Sequence, residues 1–453
     1  MNFSKLPLSK EMLHNLNEIG YKEMTPIQAE SLPYILQGKD VIAQAKTGSG
    51  KTAAFGIGVL TKLQVKKFRV QSLILCPTRE LADQVAKELR LLARATHNVK
   101  ILTLCGGAAF GPQLGSLAHG AHIIVGTPGR ILKHLKKETL VLDDLEMLVL
   151  DEADRMLDMG FSEEINEVLS FTKKRKQTLL FSATYTDEIM DISKNLQHEA
   201  ISVKTTSTEV KNNITERFYE VEAHQKLNAL INILSNFKPE NAIIFTNTKI
   251  DAKELAENLQ KKKIDALAIH GDLEQYERND VLVQFANRSC PVLIATDVAA
   301  RGLDIKELSM VINYDLPHGE ETYTHRIGRT GRAGQDGLAF TLFSEYEADK
   351  AYEYKNDTRL FEEANSLKPM SNFEMKPQYI TLVIEGGKKD KLRAGDILGA
   401  LTGDAGLQGS SIGKIDIYER QSYVAIEAKL IDEAHKQLQN KKIKAKKFSV
   451  WIL

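Results

Sequence analysis

In EMLVLDEADRMLDMGF (Glu146 to Phe161), four apolar residues, Met147 to Leu150, run directly into Asp151, Glu152 and Asp154. A short apolar run that ends on carboxylates reads as a buried strand whose C-terminal end opens onto a site. Ligands of open α/β sheets gather beyond the carboxyl ends of strands. Taken alone, the three carboxylates would equally suit the solvated first turn of a helix, where the dipole favours negative charge. The stretch upstream decides between these readings.

AQAKTGSGKTAAF (43–55) follows the apolar run KDVIAQA (39–45). Ala45-x4-Gly50-Lys51-Thr52 matches a P-loop, with Ala45 standing where the first glycine is usual. Glycines let backbone N–H groups curl round phosphates at a helix start, where the dipole adds favourable potential. Ala45, Lys46, Thr47, Gly48, Ser49, Gly50, Lys51 and Thr52 are the expected cradle of ATP. Lys51 reaches the β- and γ-phosphates and Thr52 ligates Mg²⁺. Beside such a loop, Asp151 reads as the carboxylate that holds Mg²⁺, partly through water. Glu152 is then placed to orient or deprotonate the attacking water. Asp154 remains to hold a neighbouring motif or domain.

Apolar runs alternate with helical patterns along the chain. SLILCP (72–77), KILTLCG (100–106), AHIIVGTP (121–128), MLVLD (147–151) and TLLFSAT (178–184) continue the first series. The series pauses at KTTSTEVKNNITERF (204–218), which is polar and lacks periodicity. It restarts with NAIIFTNT (241–248), DALAIHG (265–271), CPVLIATD (290–297), MVINYD (310–315) and GLAFTLF (337–343). Two tandem doubly wound, parallel α/β domains are the expectation, over 1–208 and 214–360. Residues 345–365 are charged and helix-prone, and 361–377, with Pro369 and Pro377, read as a linker. Residues 378–453 then follow a β-α-β-β-α-β order, a small α+β domain.

The 453 residues suit about three domains. Sixty basic and sixty acidic residues cancel, so a nucleic-acid surface must be local. Residues 378–453 carry thirteen lysines and arginines against nine carboxylates, which points weakly to an anionic partner for the tail. Cys76, Cys105 and Cys290 have neither metal-ligand spacing nor an even count, so a reduced compartment is the simplest reading. The start, MNFSKLPLSKEM, has no apolar signal core, and no run approaches the length of a membrane span. A cytoplasmic monomer without a membrane partner is the default expectation.

Asp-Glu-Ala-Asp at 151–154, with the motifs in order around it, resembles the DEAD-box RNA helicases over residues 1–345. Gly20-Tyr21 and Thr25-Pro26-Ile27-Gln28 are similar to the adenine-reading Q motif, with Phe3 at the outlying aromatic position. Pro77-Thr78-Arg79-Glu80-Leu81, Gly106-Gly107 and Thr127-Pro128-Gly129-Arg130 resemble the RNA-facing motifs of the first domain, and Ser182-Ala183-Thr184 the coupling motif. Gln275-x-x-Arg278, Ala295-Thr296-Asp297 through Arg301-Gly302-Leu303-Asp304, and His325 through Arg332 complete the set.

The resemblance implies an RNA-stimulated ATPase of two RecA-like domains that opens short RNA duplexes. Phe3, Tyr21, Gln28, Gly302 and Asp304 would serve ATP, and Gln28 has the amide geometry for adenine N6 and N7. Arg329 and Arg332 would act as arginine fingers, with His325, Ser182, Thr184 and Asp154 coupling the γ-phosphate to domain closure. Arg79, Gly107, Thr127, Gly129, Arg130, Thr246, Arg278 and Thr296 would bind the RNA backbone without reading bases. A non-enzymatic ATP-gated RNA clamp or generic RNA chaperone is the alternative, against which Glu152, Arg329 and Arg332 speak. A DNA helicase is disfavoured by the motif set.

GGKKDKLRAGDILGALTGDAGLQGSSIGKI (386–415) resembles the RNA-binding tail of the bacterial DEAD-box helicases directed to 23S ribosomal RNA. This implies an RRM-like tail and a target in large-subunit precursors, at a hairpin near the peptidyl-transferase centre. An RRM stacks bases on aromatics of its two central strands. QSYVAI (421–426) has one aromatic and ITLVIE (380–385) none. Lys388, Lys389, Lys391 and Arg393 are therefore the expected tail contacts, with phosphate contacts from Lys441 to Lys447.

Overall fold

The computed structural model describes residues 1–45, 48–172, 176–205, 214–300, 308–331, 336–370, 372–403 and 406–453. β1 (Val41–Gln44), β2 (Ser72–Leu75), β3 (Ile101–Leu104), β4 (Ile123–Gly126), β5 (Met147–Asp151), β6 (Gln177–Ser182) and β7 (Ile201–Lys204) form a parallel sheet ordered β3-β4-β2-β5-β6-β1-β7. Alternate side chains of these strands enter two cores. Val41, Ala43, Met147 and Val149 face one layer of helices, and Ile42, Leu148 and Leu150 face the other. Burial on both faces explains why the strands read as unbroken apolar runs.

A second compact unit carries the other two sheets. β8 (Ile214–Glu220), β9 (Ala242–Thr246), β10 (Ala266–Ile269), β11 (Val292–Thr296), β12 (Met310–Asn313), β13 (Gly337–Phe343) and β14 (Leu360–Glu363) form a parallel sheet ordered β10-β11-β9-β12-β13-β8-β14. This is the first order with every number raised by seven, so the two sheets repeat one topology. β15 (Tyr379–Ile384), β16 (Ile412–Ile417), β17 (Ser422–Glu427) and β18 (Val450–Ile452) form an antiparallel sheet ordered β16-β17-β15-β18. The helices Ala394–Thr402 and Ile431–Asn440 cover one face of it.

Three strands lie where the sequence suggested none. β7 and β8 flank or enter the stretch read as a polar pause. In β8 Phe218 and Tyr219 are fully buried, while Glu216 and Arg217 pair with Arg359 and Glu362. Its alternation is masked because its charged positions are satisfied by neighbours rather than by water. β14 occupies residues expected to continue a helix and to begin the linker. The helix there ends at Tyr352. The Asn356 side chain then accepts from the N–H groups of Thr358 and Arg359, and this turn sets β14 beside β8. The rest of the linker is not free either: Met375 is buried and bridges Ile264 in parallel.

The exposed face of an RRM-like sheet is covered here. Val383 of β15 and Tyr423 of β17 cluster with Val283 of the Gln275–Ala286 helix. The Tyr423 hydroxyl donates to Asp280 Oδ1 at 2.9 Å. Thr381 Oγ1 lies 2.7 Å from Ser289 Oγ and accepts from Asn287 Nδ2 at 3.3 Å.

Candidate active site and RNA-facing residues

The strand order gathers one set of groups at the C-terminal ends of β1, β6 and β5. β6 lies between the strand that precedes the P-loop and the strand that ends in Asp151. Gln44 is in register with Ser182, and Asp151 with Phe181. Gly50, at φ 93°, caps the Lys51–Lys62 helix in the left-handed region that glycine adopts without strain. A Cβ there would fall 2.5 Å from Gln28 Nε2.

Buried polar atoms here that have no hydrogen-bond partner among the described residues include Ser49 Oγ, Lys51 Nζ, Asp151 Oδ1 and Ser182 Oγ. Buried polar atoms are ordinarily satisfied, and a buried ammonium or carboxylate left unpaired is costly. A polyphosphate would suit the ammonium and the loop hydroxyl and a cation the carboxylate, so the set fits ATP with Mg²⁺. Burial pushes the Asp151 carboxyl up to about 6, against the opposing pull of the Lys51 ammonium. Lys46 and Thr47 lie outside the described residues.

Glu152 adopts a left-handed backbone, φ 53°, as the residue before the Ala153–Asp158 helix. A non-glycine residue held there stores strain of about 1–3 kcal/mol, which the surrounding structure must impose. Its carboxylate pairs with Arg155 at 3.2 Å. Asp154 grips the next strand's end. Its Oδ2 accepts from Ala183 N at 2.9 Å, Thr184 N at 3.1 Å and Thr184 Oγ1 at 3.3 Å. The acidic motif and the Ser-Ala-Thr motif are thus one hydrogen-bonded unit.

Phe3 and Gln28, both expected to serve the nucleotide, are buried. Phe3 is 2% exposed, packed edge-on against Tyr21 inside the core. It supports Tyr21 from behind and presents nothing to a base. The Tyr21 hydroxyl donates to Glu88. Gln28 is 1% exposed; its Nε2 donates to Gly50 O at 3.1 Å and its Oε1 accepts from Thr25 N at 2.9 Å. One N–H and one lone pair of that amide stay available to a base edge.

A second cluster occupies the ends of β2, β3 and β4, at the opposite side of the same sheet. The Arg79 guanidinium lies over Gly107, where a Cβ would fall 1.5 Å from it. Thr127 Oγ1 accepts from Gly106 N at 3.4 Å. Arg130 donates to Gln113 Oε1 at 2.8 Å and Ala108 O at 2.9 Å. Gly129 has open space around it.

In the second unit, Arg278 donates to Ala299 O at 2.6 Å, and Thr296 Oγ1 accepts from Ala299 N at 3.4 Å. Thr246 departs from expectation. It is fully buried, and its hydroxyl donates to Thr248 O at 3.2 Å. The end of a central strand turns there, and the side chain satisfies that turn instead of facing RNA. His325 lies on the Glu320–Ile327 helix and Arg329, buried, in the turn after it. Gly302, Asp304 and Arg332 lie outside the described residues.

Arg326 was missed. It is 1% exposed and holds the site's scaffold together. It binds Asp297 through two nitrogens at 2.7 Å each, donates to Asp315 O at 2.8 Å and Asn247 Oδ1 at 2.9 Å, and lies over the Phe245 ring. A guanidinium has five fixed donors, and burying it requires a set of converging acceptors. Nothing in HRIG distinguishes Arg326 from the neighbouring arginines, because its acceptors come from distant strands and loops.

In the tail, Lys388, Lys389, Lys391 and Arg393 are exposed. The fold brings the 388–391 turn beside the 443–448 segment, so two lysine clusters read separately form one basic surface. Lys444 Nζ donates to Lys391 O at 2.9 Å, and Lys389, Lys391, Lys444 and Lys446 line a shared cleft of about 310 Å³.

Comparison with known proteins agrees with this layout. Residues 25–192 match the DEAD/DEAH box helicase family, 225–334 the helicase conserved C-terminal domain, and 381–452 the DbpA RNA binding domain. The chain is 50% identical to the ATP-dependent RNA helicase DbpA of Escherichia coli K12 over 98% of both chains. It is 45% identical to the DEAD-box ATP-dependent RNA helicase CshA of Geobacillus kaustophilus, over 79% of this chain and 76% of that one. Among solved structures it is similar to S. cerevisiae Dbp5 bound to RNA and ADP BeF3, with 31% identity and a TM-score of 0.71 over 80% of this chain and 95% of that one.

Proposed function

Because the chain belongs to the DEAD-box ATP-dependent RNA helicases, of the DbpA type, we propose that its tail directs it to 23S ribosomal RNA in large-subunit precursors, where it opens short duplexes. The observation that carries this reading is the merged lysine surface of the tail, formed on a domain that matches the DbpA RNA binding domain. Lysines on a turn and a cleft bind phosphates and shape; an RRM-like sheet with its face covered cannot stack bases. The enzyme would act as a cytoplasmic monomer.

Thr52 and Asp151 would hold Mg²⁺, which supplies charge neutralisation on the β- and γ-phosphates. Lys51 binds those phosphates, and Glu152 orients the attacking water and takes its proton. Arg329 and Arg332 donate to the transferring group when the domains close. Asp154 carries the state of that site to Ser182-Ala183-Thr184. Arg79, Thr127, Gly129, Arg130, Arg278 and Thr296 hold the strand by its backbone, and the amide left to Gln28 reads adenine.

The test is binding of 23S-derived hairpins by the full chain. A preference over unrelated hairpins that Lys388→Glu with Lys389→Glu abolishes supports the assignment. Equal affinity for unrelated hairpins, or no loss in the double variant, overturns it.

A further inference from the structure

The Phe110–Ala118 and Pro128–Lys136 helices follow β3 and β4, and one buried knot ties them together. Gln113 Oε1 accepts from Arg130 at 2.8 Å and lies 3.2 Å from His134 Nε2, while Gln113 Nε2 donates to Cys105 O at 3.0 Å. Burial, and after it the charges of Arg130 and Lys133, push the His134 imidazole down to about 4. The neutral ring therefore donates from Nε2 to Gln113 and accepts at Nδ1 from the Thr139 hydroxyl at 2.8 Å. The Phe110 ring stacks on it, with centroids 4.2 Å apart and planes inclined by 13°.

Three cations share that phenyl ring. Lys133 Nζ and Lys137 Nζ each lie 5.5 Å from its centroid, and Arg130 Cζ lies 5.8 Å away. Side chains of a helix lean toward its N-terminus, which carries both lysines back toward Arg130. Burial, and after it the charge of Arg79, lowers the Arg130 guanidinium, so the cations form one run from Arg79 to Lys137. The ring attracts each ammonium, yet like charges held together repel. No neighbour relieves this: residues 105–118 carry no charged side chain. Lys133 and Lys137 are exposed, and neither meets a carboxylate among the described residues. Lys136, on the other flank of the same helix, pairs with Glu167 at 2.7 Å.

We propose that Phe110, Lys133 and Lys137 form a further RNA subsite on the first helicase domain, which takes two neighbouring backbone phosphates of the strand that Arg130 holds. The two lysines stand about 6 Å apart along the helix axis, a step that suits neighbouring phosphates. Ammonium groups meet phosphates as point charges and read no base. Phe110 is the positioning residue: it stacks on His134 and gathers both lysines beside Arg130. The subsite lengthens the grip of the first domain beyond the motif residues. The inference rests on the proposed role of Arg130.

The experiment titrates a single-stranded RNA without a hairpin against the full chain, with ADP and beryllium fluoride present, over a range of salt concentrations. Each phosphate neutralised on a single strand contributes about 0.7 to the log–log slope. Lys133→Gln with Lys137→Gln should therefore flatten the slope by about 1.4 and weaken binding about tenfold at about 0.1 M salt, with the melting temperature unchanged. Lys133→Arg with Lys137→Arg should keep the native slope. Phe110→Leu should keep the slope and lose about two- to fivefold in affinity. Neutral methylphosphonates, placed one at a time along the RNA, should weaken the native chain at two neighbouring positions where the glutamine variant is indifferent. An unchanged slope in the glutamine variant, or the same positional penalties in variant and native chain, overturns the inference. Arg130→Gln that leaves the affinity unchanged overturns instead the proposal on which it rests.

Discussion

Replacing Asp154 by asparagine should uncouple ATP hydrolysis from duplex opening. Asp154 Oδ2 accepts three hydrogen bonds from Ala183 and Thr184, and Oδ1 accepts from Arg155 N at 3.0 Å. In its best orientation the asparagine keeps an oxygen toward residues 183 and 184, so three charge-assisted bonds become neutral. The loss is about 0.5–1 kcal/mol for each. The amide NH₂ then meets the Arg155 N–H, which leaves a buried donor unsatisfied at about 1–3 kcal/mol. The three bonds to residues 183 and 184 together lose about 1.5–3 kcal/mol, roughly 10- to 150-fold in the local opening of the 182–184 segment, while the Arg155 cost falls on the closed and open forms alike. Amide hydrogen exchange reads this directly: the Ala183 and Thr184 amides should exchange roughly 10- to 150-fold faster, while the amides of β5 stay protected. RNA-stimulated ATPase should persist at a reduced rate, with fewer duplexes opened per ATP hydrolysed. Unchanged protection at both amides, or an unchanged ratio of unwinding to hydrolysis, would refute the reasoning.

Three further outcomes are expected. Asp151, held near 6, is protonated in acid and then cannot ligate a cation; affinity for Mg²⁺–nucleotide, titrated by fluorescence, should fall about tenfold per pH unit below that value and level off above it. Arg326→Ala leaves Asp297 without its buried partner, and should destabilise the second domain by about 3–5 kcal/mol in urea unfolding while the first domain's transition stays put. Lys444→Glu with Lys446→Glu should weaken hairpin binding and flatten its dependence on salt by about one unit of log–log slope for each phosphate that the variant no longer neutralises, with intrinsic ATPase unchanged.

Much of the fold could be read because burial on both faces leaves apolar runs whose short length and β-branched content mark them as strands. β1 to β6 announced themselves in this way, and the P-loop and Asp151 fell at strand ends where chemistry gathers. Strands with a covered but charged face could not be read. In β8, Glu216 and Arg217 are satisfied by Arg359 and Glu362, partners more than a hundred residues away. The site was legible as a set of residue types, whereas orientation was not. Thr246 and Phe3 have the right chemistry, yet the fold turns Thr246 into its own strand end and seals Phe3 behind Tyr21, while Gln28 gives only part of its amide to Gly50. The docking of the tail was hidden for the same reason. Tyr423 alternates properly along β17, but nothing in the sequence marks Asp280 as its acceptor.

The most direct test compares ATP turnover by the full chain with 23S ribosomal RNA and with the same mass of unrelated RNA. The account predicts strong stimulation by the 23S RNA and weak stimulation by the other, with the difference lost in the Lys388→Glu, Lys389→Glu variant. Equal stimulation by both RNAs would contradict the tail as an address.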